Sequence, residues 1–547
     1  MTENNKTGVL ARTVSRIGLG RGLFIGSSVA FALVAAACSD DPAPGAETTD
    51  GGADTSVTKP DTGSLEDGGA EDGATEDVKQ PLVDSGNDAS TGPSPVFFTF
   101  PSGSHSRLYN VVHTAAGIYA TGQVTSITAP TDFAIPLVKI LPTGVLDTTF
   151  GNNGIVTTNT TVGGLAGELG RGIVVQSSGK IIVAGTSDHV VPSDATRDIV
   201  VMRFTAAGVL DTTFGPDNTG IKRIVLGTGE SVAHYGLNVL ANDDLIVTGS
   251  RKPATGAGNE FVVIKLKGTD GSLDTSFGGP ASLAADAGTE DAGAPDGIFS
   301  IAIGTNINSR FASVLADGSI VAAGYVALAS GAANKPFIFK LTPAGKLDKT
   351  FNGTGVYFPE SGVEGFTGTG GIAESYQVIP QGDKLVTTGY GRDNDSKPAI
   401  GFLSLRLNAN GTRDLTYGTG GFFYLGLNAQ PAQSRAIALL ADSRLLFIGG
   451  ASPAKPSADA GTQTQQAAIA ITSPDGVLDT TFSTGGPRLY DLGGPATGRN
   501  AHFFWGVSLS PDKKNAAIVG IKGGISTGDA GVAGNDQAVF LYLPTGN

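Results

Sequence analysis

From residue 96 onward the chain is built from copies of one unit, and this repetition restricts the fold more than any other feature. One signature is the hexapeptide LDTTFG at 146–151, which recurs in exact or weakened form in six units. A second is a pair of apolar segments joined by a tight turn and ending in glycine, as in GIVVQSSGKIIVAG at 172–185. Seven copies of this second signature end at Gly122, Gly185, Gly249, Gly324, Gly389, Gly449 and Gly520.

Each unit contains four short segments with the character of β-strands. In the second unit these are 172–176, 180–186, 198–205 and 221–226, all rich in Val and Ile and bounded by Gly, Asp or Asn. No unit contains a useful stretch of 3.6-residue periodicity, which excludes a helical solenoid. Four-stranded units repeated around an axis predict an all-β, seven-bladed β-propeller over 96–547.

The two ends of the repeat region are complementary. The seventh unit has three predicted strands, at 505–510, 515–521 and 537–543, and the chain then stops before a fourth. Before the first unit lies an extra apolar segment, 96–100, which is similar to the fourth strands of other units. We therefore expect this N-terminal strand to complete the last blade, which closes the ring and leaves no open edge there.

These repeats resemble the delta-60 repeat of bacterial β-propellers. The residues that carry the resemblance are the L-D-x-x-F-G turn, the turn between the first two strands with its following I-V-A-G, and the third strand ending in V-x-R-F or F-K-L. The resemblance covers nearly all of 96–547 and is weakest in the first and seventh units. It implies the fold and no settled activity.

The N-terminus has the pattern of an export signal over 1–37. A basic stretch precedes the apolar run 23–37, which is shorter than the roughly 20 residues of a membrane span. The single cysteine of the chain, Cys38, follows directly, and Ala35-Ala36-Ala37-Cys38 resembles a bacterial lipobox with Ala in place of the usual Leu. The signature predicts lipidation of Cys38, and Ser39 favours the outer membrane. An uncleaved anchor and a secreted protein with a free thiol are the alternatives.

Residues 38–95 are predicted to form a disordered tether that follows the lipidated cysteine. Between 39 and 95 there are 14 acidic residues against two lysines and not one aromatic residue. Such a segment buries too little apolar surface to offset the entropy of ordering it. The net charge of −14 lies mostly here, and the repeat region is only slightly acidic. This charge distribution argues against nucleic-acid binding.

The recurring aspartates of the LDTTFG signature are predicted to be structural. An Asp in a tight turn accepts hydrogen bonds from groups a few residues further on, and the following Phe is expected to fill the space between blades. One such Asp per blade cannot converge with the others on a metal ion. The residues are Asp147, Asp211, Asp274, Asp348, Asp414 and Asp479.

The connections of unequal length are predicted to share one face of the ring. If the first strand of each unit runs downward, the uniform turns lie below, and the connections after the second and fourth strands lie above. The long segments of both kinds then fall on the upper face, which marks it as a candidate binding face. They are 325–335, 450–466, 522–536, 279–300, 359–373 and 489–503.

A column of cationic and aromatic residues lies at the start of the first, innermost strand, and it is the candidate ligand site. Such side chains around a channel mouth suit an anionic or sugar ligand through charge and stacking. The alternative is that the arginines bond blade carbonyls or pair with acids such as Glu168, Glu230 and Glu374. The column consists of Arg107, Arg171, Tyr235, Arg310, Tyr376, Arg435 and Trp505.

The sequence offers little support for catalysis. The five histidines have no metal-ligand spacing, Cys38 is assigned to lipid, and no glycine-rich phosphate loop leads into a helix. We therefore predict no metal and no cofactor, and favour a binding module over an enzyme. The predicted protein is an outer-membrane-anchored propeller whose partners are the lipid bilayer and a glycan, peptide or envelope protein. The alternative is an envelope hydrolase or lyase that acts on a glycan at the channel mouth.

Overall fold

The computed structural model describes most of the repeat region, beginning at residue 93. The predicted export signal (1–37), Cys38 and the predicted tether up to residue 92 therefore lie outside the described residues. The described residues are 93–98, 100, 105–125, 132–161, 168–188, 197–226, 231–252, 258–281, 294–329, 332–359, 372–392, 400–427, 431–452, 465–483, 485–492, 502–523 and 536–546.

The protein is an all-β, seven-bladed propeller of antiparallel blades. The first strand that the structure describes is β1 (Val96–Phe98), which belongs to the last blade. Blade 1 is β2 (Ser106–Thr114), β3 (Gly117–Thr125), β4 (Phe133–Ile140) and β5 (Ile155–Thr158). Blade 2 is β6 (Leu169–Val175), β7 (Ile181–Asp188), β8 (Arg197–Phe204) and β9 (Ile221–Ile224), with a short 3₁₀ helix, Pro216–Asn218, before β9.

Blades 3 to 5 follow the same order from the innermost strand outward. Blade 3 is β10 (Ser231–Val239), β11 (Leu245–Arg251), β12 (Glu260–Leu266), β13 (Gly279–Ala281) and β14 (Ile298–Ile301). Blade 4 is β15 (Asn306–Val314), β16 (Ile320–Ala327), β17 (Lys335–Leu341) and β18 (Val356–Tyr357). Blade 5 is β19 (Ile372–Gln381), β20 (Lys384–Arg392), β21 (Gly401–Leu407) and β22 (Phe422–Leu425).

Blades 6 and 7 complete the ring. Blade 6 is β23 (Ala432–Leu439), β24 (Leu445–Ala451), β25 (Gln466–Thr472) and β26 (Arg488–Tyr490). Blade 7 is β27 (Phe503–Leu509), β28 (Asn515–Lys522) and β29 (Gln537–Pro544), with β1 as its outermost strand. Within the part of the chain that is described, no helix is both long enough and apolar enough to cross a membrane.

The predicted closure of the ring by the N-terminal strand is confirmed. β1 pairs antiparallel with β29, with Phe97 opposite Val539. Phe98 faces inward and lies in a core cluster that contains Phe540 of blade 7 and Leu108 of blade 1. The first and last segments of the repeat region are therefore joined by strand pairing and by a shared core.

Blade 3 departs from the prediction that 279–300 connects one blade to the next. The outermost strand is β14, which pairs antiparallel with β12, and β13 adds a fifth strand parallel to β14. The amide of Gly297 donates to the carbonyl of Phe277 at 2.9 Å, as that of Gly220 donates to Phe214 in blade 2. The extra segment is therefore inserted within the turn between the third and fourth strands, on the lower face.

Neighbouring blades are joined at the turn that carries the LDTTFG signature. The Phe at the end of one signature packs beneath a glycine of the next blade's turn, where a Cβ would lie less than 3 Å from the ring, as at Gly208 over Phe150 and Gly271 over Phe214. The residue after this Phe donates a backbone hydrogen bond to the same turn of the next blade. For example, the amide of Gly215 donates to the carbonyl of Asp270 at 2.9 Å. The expectation that this aromatic fills the space between blades agrees with these contacts.

The ring closure predicts unequal roles for two neighbouring residues of β1. Phe98 is buried, whereas Phe97 on the opposite side of the strand is 38% exposed. Truncation of a buried Phe leaves a cavity, so Phe98→Ala is expected to lower the free energy of unfolding by about 3 kcal/mol. Phe97→Ala is the matched control and is expected to cost less than about 1 kcal/mol. Chemical denaturation of both variants checks this, and equal losses would contradict the closure.

Candidate functional site

Each innermost strand contains a β-bulge near its upper end, opposite the recurring glycine of the second strand. In blade 5 the pairing register shifts between Ser375 and Gln377, and in blade 6 between Ser434 and Ala436. A Cβ at Gly389 would lie 1.8 Å from the carbonyl oxygen of Glu374. Because no side chain fits in that space, the glycine is required by the bulge. The same carbonyl approach, at 1.8–2.2 Å, occurs at Gly122, Gly185, Gly324, Gly389, Gly449 and Gly520.

The bulge positions coincide with the predicted column in most blades. The bulged residues are Tyr109, Arg171, Arg310, Tyr376, Arg435 and Trp505. In blade 3 the shift falls between Ala233 and Leu237, which includes Tyr235, and the Tyr235 side chain lies outside the described part of the chain. We call the seven positions the mouth ring.

In blade 1 the predicted column named the wrong residue, Arg107. Tyr109 occupies the bulge, and Arg107 lies two residues before it, paired in register with Gln123. The distance back to the bulge depends on the length of the first turn. Blades 1 and 5 share a two-residue turn, so the bulged residue should be counted 13 positions before the glycine in both, which gives Tyr109 and Tyr376. This was the sequence signal that could have found Tyr109.

The arginines of the mouth ring are stacked between aromatic side chains of neighbouring blades. The guanidinium carbon of Arg171 lies 4.5 Å from the centre of the Tyr109 ring. That of Arg435 lies 4.2 Å from the Tyr376 ring and 5.0 Å from the Trp505 ring. Cation–π contacts of this kind are strongest when water is excluded. From blade 4 to blade 7, cations and aromatic rings therefore alternate at the upper end of the channel.

Arg310 shows how completely such a cation is enclosed. It is 1% exposed and stacks at 4.5 Å on Tyr376, and its Nη2 donates to the hydroxyls of Tyr325 at 3.1 Å and Tyr376 at 3.3 Å. Arg435 and Arg171 are also buried, at 4% and 7% exposure. These three cations thus form part of the channel wall.

Arg107 differs from the three buried arginines of the mouth ring because a third of its side chain is exposed. Its Nε and Nη2 lie 2.6 and 2.5 Å from Oδ2 of Asp536, a residue that directly precedes β29. His105 lies beside the same carboxylate, and burial and the nearby Arg107 charge lower its pKa to about 4. This cluster joins the first blade to the last at the mouth.

Two of the acids proposed as alternative partners of the arginines accept hydrogen bonds from several side chains. Glu374 accepts hydrogen bonds from the Tyr390 hydroxyl at 2.7 Å and from the amide of Asn334 at 2.7 Å. Glu168 accepts from Thr160 and Ser187, as described below. Glu230 lies outside the described residues.

Phe311 and Trp505 narrow the channel at the level of the mouth ring. Both are partly buried and pack against a cluster that contains Tyr109 and Leu169. Phe311 comes from blade 4, whereas the cluster belongs to blades 1, 2 and 7. Side chains from opposite sides of the ring therefore meet here, and they form an aromatic floor at the mouth.

Glu168, just before β6, is a buried carboxyl that the sequence did not single out as a site. Its Oε1 accepts hydrogen bonds from the Thr160 hydroxyl at 2.5 Å and the Ser187 hydroxyl at 3.1 Å. Burial raises the pKa of Glu168 to about 7, and the nearby Asp132 carboxyl adds to the rise. A group with this pKa can exist in either protonation state near neutral pH.

The six signature aspartates lie in the turns of the lower face. In each, Oδ1 accepts from the backbone amide and hydroxyl of a Thr or Ser two residues on, as with Asp147 and Thr149 at 3.1 and 2.6 Å. The other oxygen pairs with a cation from the second or third strand, such as Lys139 for Asp147 or Arg203 for Asp211. These hydrogen bonds lower the pKa of Asp147 to about 2. Each of these ion pairs lies within the aspartate's own blade.

Among the described residues, no group of three or more His, Cys, Asp or Glu side chains is placed to hold a metal ion.

Two stretches of the chain match a family model described as "Domain of unknown function (DUF5122) beta-propeller". They are 176–214 and 315–351, and each runs from the first turn of a unit to the Phe of its signature. The match supports a β-propeller repeat family for these two stretches. No curated protein sequence matches the chain.

Solved structures with related folds share little sequence with this chain. U3-55K has 10% identity and a TM-score of 0.39, over 83% of this chain and 100% of that chain. The RRP9 WD40 repeats have 10% identity and a TM-score of 0.37, over 83% of this chain and 99% of that chain. The Pyrococcus horikoshii acylaminoacyl peptidase has 9% identity and a TM-score of 0.35, over 77% and 49%. These similarities are too low to carry an inference about ligand or activity.

The bulge geometry predicts that Gly389 cannot be replaced without loss. A Cβ there meets the Glu374 carbonyl, which cannot move without breaking the bulge, so Gly389→Ala is expected to cost about 3 kcal/mol of unfolding free energy. Gly426→Ala is the control, because its Cβ would meet only the ring of Tyr424, at 3.2 Å. Denaturant titration compares the two, and similar small effects would argue against a bulge that depends on the glycine.

Glu168 predicts a pH dependence of stability with a definite sign. The pKa of Glu168 is raised from 4.5 to about 7 on folding. Its contribution to the free energy of unfolding is therefore fully present below pH 4.5 and is lost as the pH rises through 7. Glu168→Gln removes this charge. As the pH rises from 4.5 to 8, the free energy of unfolding of the variant is expected to increase by about 3 kcal/mol relative to that of the wild type. Unfolding measured across this range checks the prediction, and parallel curves for the two proteins would refute it.

Proposed function

We propose that this protein is a lipoprotein of the bacterial outer membrane that carries a delta-60-type propeller as a binding module. In this proposal Cys38 is acylated, residues 39–95 are the tether, and the propeller binds a glycan, peptide or envelope protein through its upper face. Nucleic acid is not among the proposed partners, and no cofactor is involved.

The observation that carries the proposal is the difference between the two faces of the ring. The lower face repeats the same Asp–Thr turns and Phe–Gly contacts from blade to blade, which fix its shape. The upper ends of the strands carry the mouth ring, whose residues differ between blades. Except for the blade 3 insertion, the predicted long connections also leave from the upper ends. A variable face on a fixed scaffold is typical of binding proteins.

The proposed anchor predicts that Cys38 is the site of lipid attachment. Radiolabelled fatty acid is expected to enter the wild-type chain in bacterial cells, and Cys38→Ala is expected to abolish labelling, because it removes the chain's only thiol. Membrane fractionation should show the same loss. Ser39→Ala is a control that keeps the thiol. Equal labelling of wild type and Cys38→Ala would contradict the anchor.

The choice of face can be tested by blocking one face at a time. In a Cys38→Ala background, Ala329→Cys places a thiol at the upper end of blade 4, and Ser178→Cys places one in a lower turn of blade 2; both positions are exposed. Coupling a large polyethylene glycol to residue 329 is expected to abolish capture of envelope components. The same group on residue 178 is expected to leave capture intact, and the reverse pattern would exclude the upper face.

The alternative, a glycan hydrolase or lyase, is favoured by Glu168. A buried carboxyl with a pKa near 7 and a second carboxyl nearby is a common arrangement for acid–base chemistry. This function predicts release of reducing ends from envelope glycans by the wild type and at least a hundredfold loss in Glu168→Gln. Binding that persists without any such release would leave the binding module as the function.

A further inference from the structure

The exposed part of the mouth ring is aromatic, although its sequence is rich in arginine. Arg171, Arg310 and Arg435 are buried beneath aromatic rings. Of the mouth residues described, Trp505 and Phe311 remain partly accessible, at the aromatic floor. A ligand that enters the mouth therefore meets ring faces before it meets any of these three charges.

The rim beside this floor is close to electrically neutral. Arg107 reaches solvent, but Asp536 lies within 2.6 Å of two of its nitrogens and offsets its charge. The pair still offers hydrogen-bond donors to solvent, because a guanidinium has five N–H groups and a third of the Arg107 side chain is exposed. Such a pair suits neighbouring hydroxyl groups better than it suits an anion, which the carboxylate repels, or an apolar side chain, which satisfies neither partner.

Trp505 is held in one orientation before any ligand arrives. Tyr109 meets it edge to face with ring centres 5.5 Å apart, Phe503 packs on it at 5.1 Å, and the Arg435 guanidinium lies 5.0 Å from its ring. An immobile aromatic ring loses little conformational entropy when a ligand stacks on it.

From these contacts we infer that the channel mouth binds an uncharged sugar residue of a glycan. The C–H face of the sugar stacks on Trp505 and Phe311, and its hydroxyls accept hydrogen bonds from Arg107, whose charge Asp536 offsets. This inference rests on the proposed binding function of the upper face and names its ligand class. It replaces the acidic or polyanionic ligand that four arginines in the sequence would suggest.

Trp505 is the only tryptophan of the chain, so intrinsic fluorescence reports directly on the mouth. The full chain with Cys38→Ala is titrated with neutral oligosaccharides (malto-, cello-, galacto- and manno-oligosaccharides) and with acidic ones (oligogalacturonate and heparin fragments), each at 50 and 500 mM salt. At least one neutral series is expected to shift Trp505 emission and to halve acrylamide quenching. Its dissociation constant is expected to change less than twofold between the two salt concentrations, since no net charge is neutralised.

Variants separate stacking from general damage to the fold. Phe311→Leu keeps an apolar side chain but removes the ring face, and Arg107→Gln removes the guanidinium at the rim; each is expected to weaken neutral-sugar binding at least tenfold. Phe97→Ala, on the outer strand of blade 7, is the control and is expected to bind normally. Unfolding curves of all three verify that they remain folded, and Phe311→Met, which is flexible and lacks a ring face, replaces Phe311→Leu if the leucine variant does not fold.

Two outcomes would overturn the inference, and they differ in what they leave standing. A response to acidic saccharides alone, with affinity falling at high salt, would assign the mouth to anions. Trp505 fluorescence that no saccharide changes would exclude a sugar at the mouth. In either case, loss of envelope capture after blocking residue 329 would still support binding through the upper face, whereas unchanged capture would refute the proposed function itself.

Discussion

The close approach between the innermost strand and the glycine of the second strand is the constraint on which the mouth depends. The carbonyl oxygen two residues before the bulged residue lies about 2 Å from where a Cβ of the glycine would be, so only glycine allows the two strands to pair at that level. The bulge inserts one extra residue and turns its side chain toward the neighbouring blade. Its freed carbonyl finds a partner there, as when the amide of Asn110 donates to the carbonyl of Arg171 at 3.0 Å. One backbone feature thus produces both the site and a contact between blades.

The bulge also explains why a ring of arginines can be stable in a channel. Like charges placed side by side would repel, and burial of an isolated cation is costly. Here each buried guanidinium faces the ring of a residue on a neighbouring blade, as Arg435 faces Tyr376 and Trp505. The alternation converts a repulsive ring into a set of attractive contacts that cross the blade boundaries. The same contacts remove these charges from the surface that a ligand would meet.

The lower face is stabilised differently, by local bonds that each repeat carries in its own sequence. The Asp of each signature binds the Thr or Ser two residues later and a cation from its own blade, and the aromatic residue packs under a glycine of the next blade. Because these bonds depend on a few residues of a short turn, the turn of blade 3 can contain an extra strand, β13, while its first and last contacts persist. The uniform face therefore holds the ring together, and the upper face is free to vary.

The sequence by itself determined the blade number, the strand order and the closure by β1, because the repeat spacing and the alternation of apolar residues are local features of the chain. It also indicated that position 310 or 435 lies at the channel, since counting from a recurring glycine needs no tertiary information. Only the tertiary structure decided that Tyr109 and not Arg107 occupies the bulge of blade 1, and that Arg310 is enclosed whereas Arg107 reaches solvent. Those outcomes depend on rings and carboxylates contributed by neighbouring blades, some of them more than 60 residues away in the chain and, for Asp536, at its far end. A pattern read along one strand carries no record of which side chain the next blade places against it.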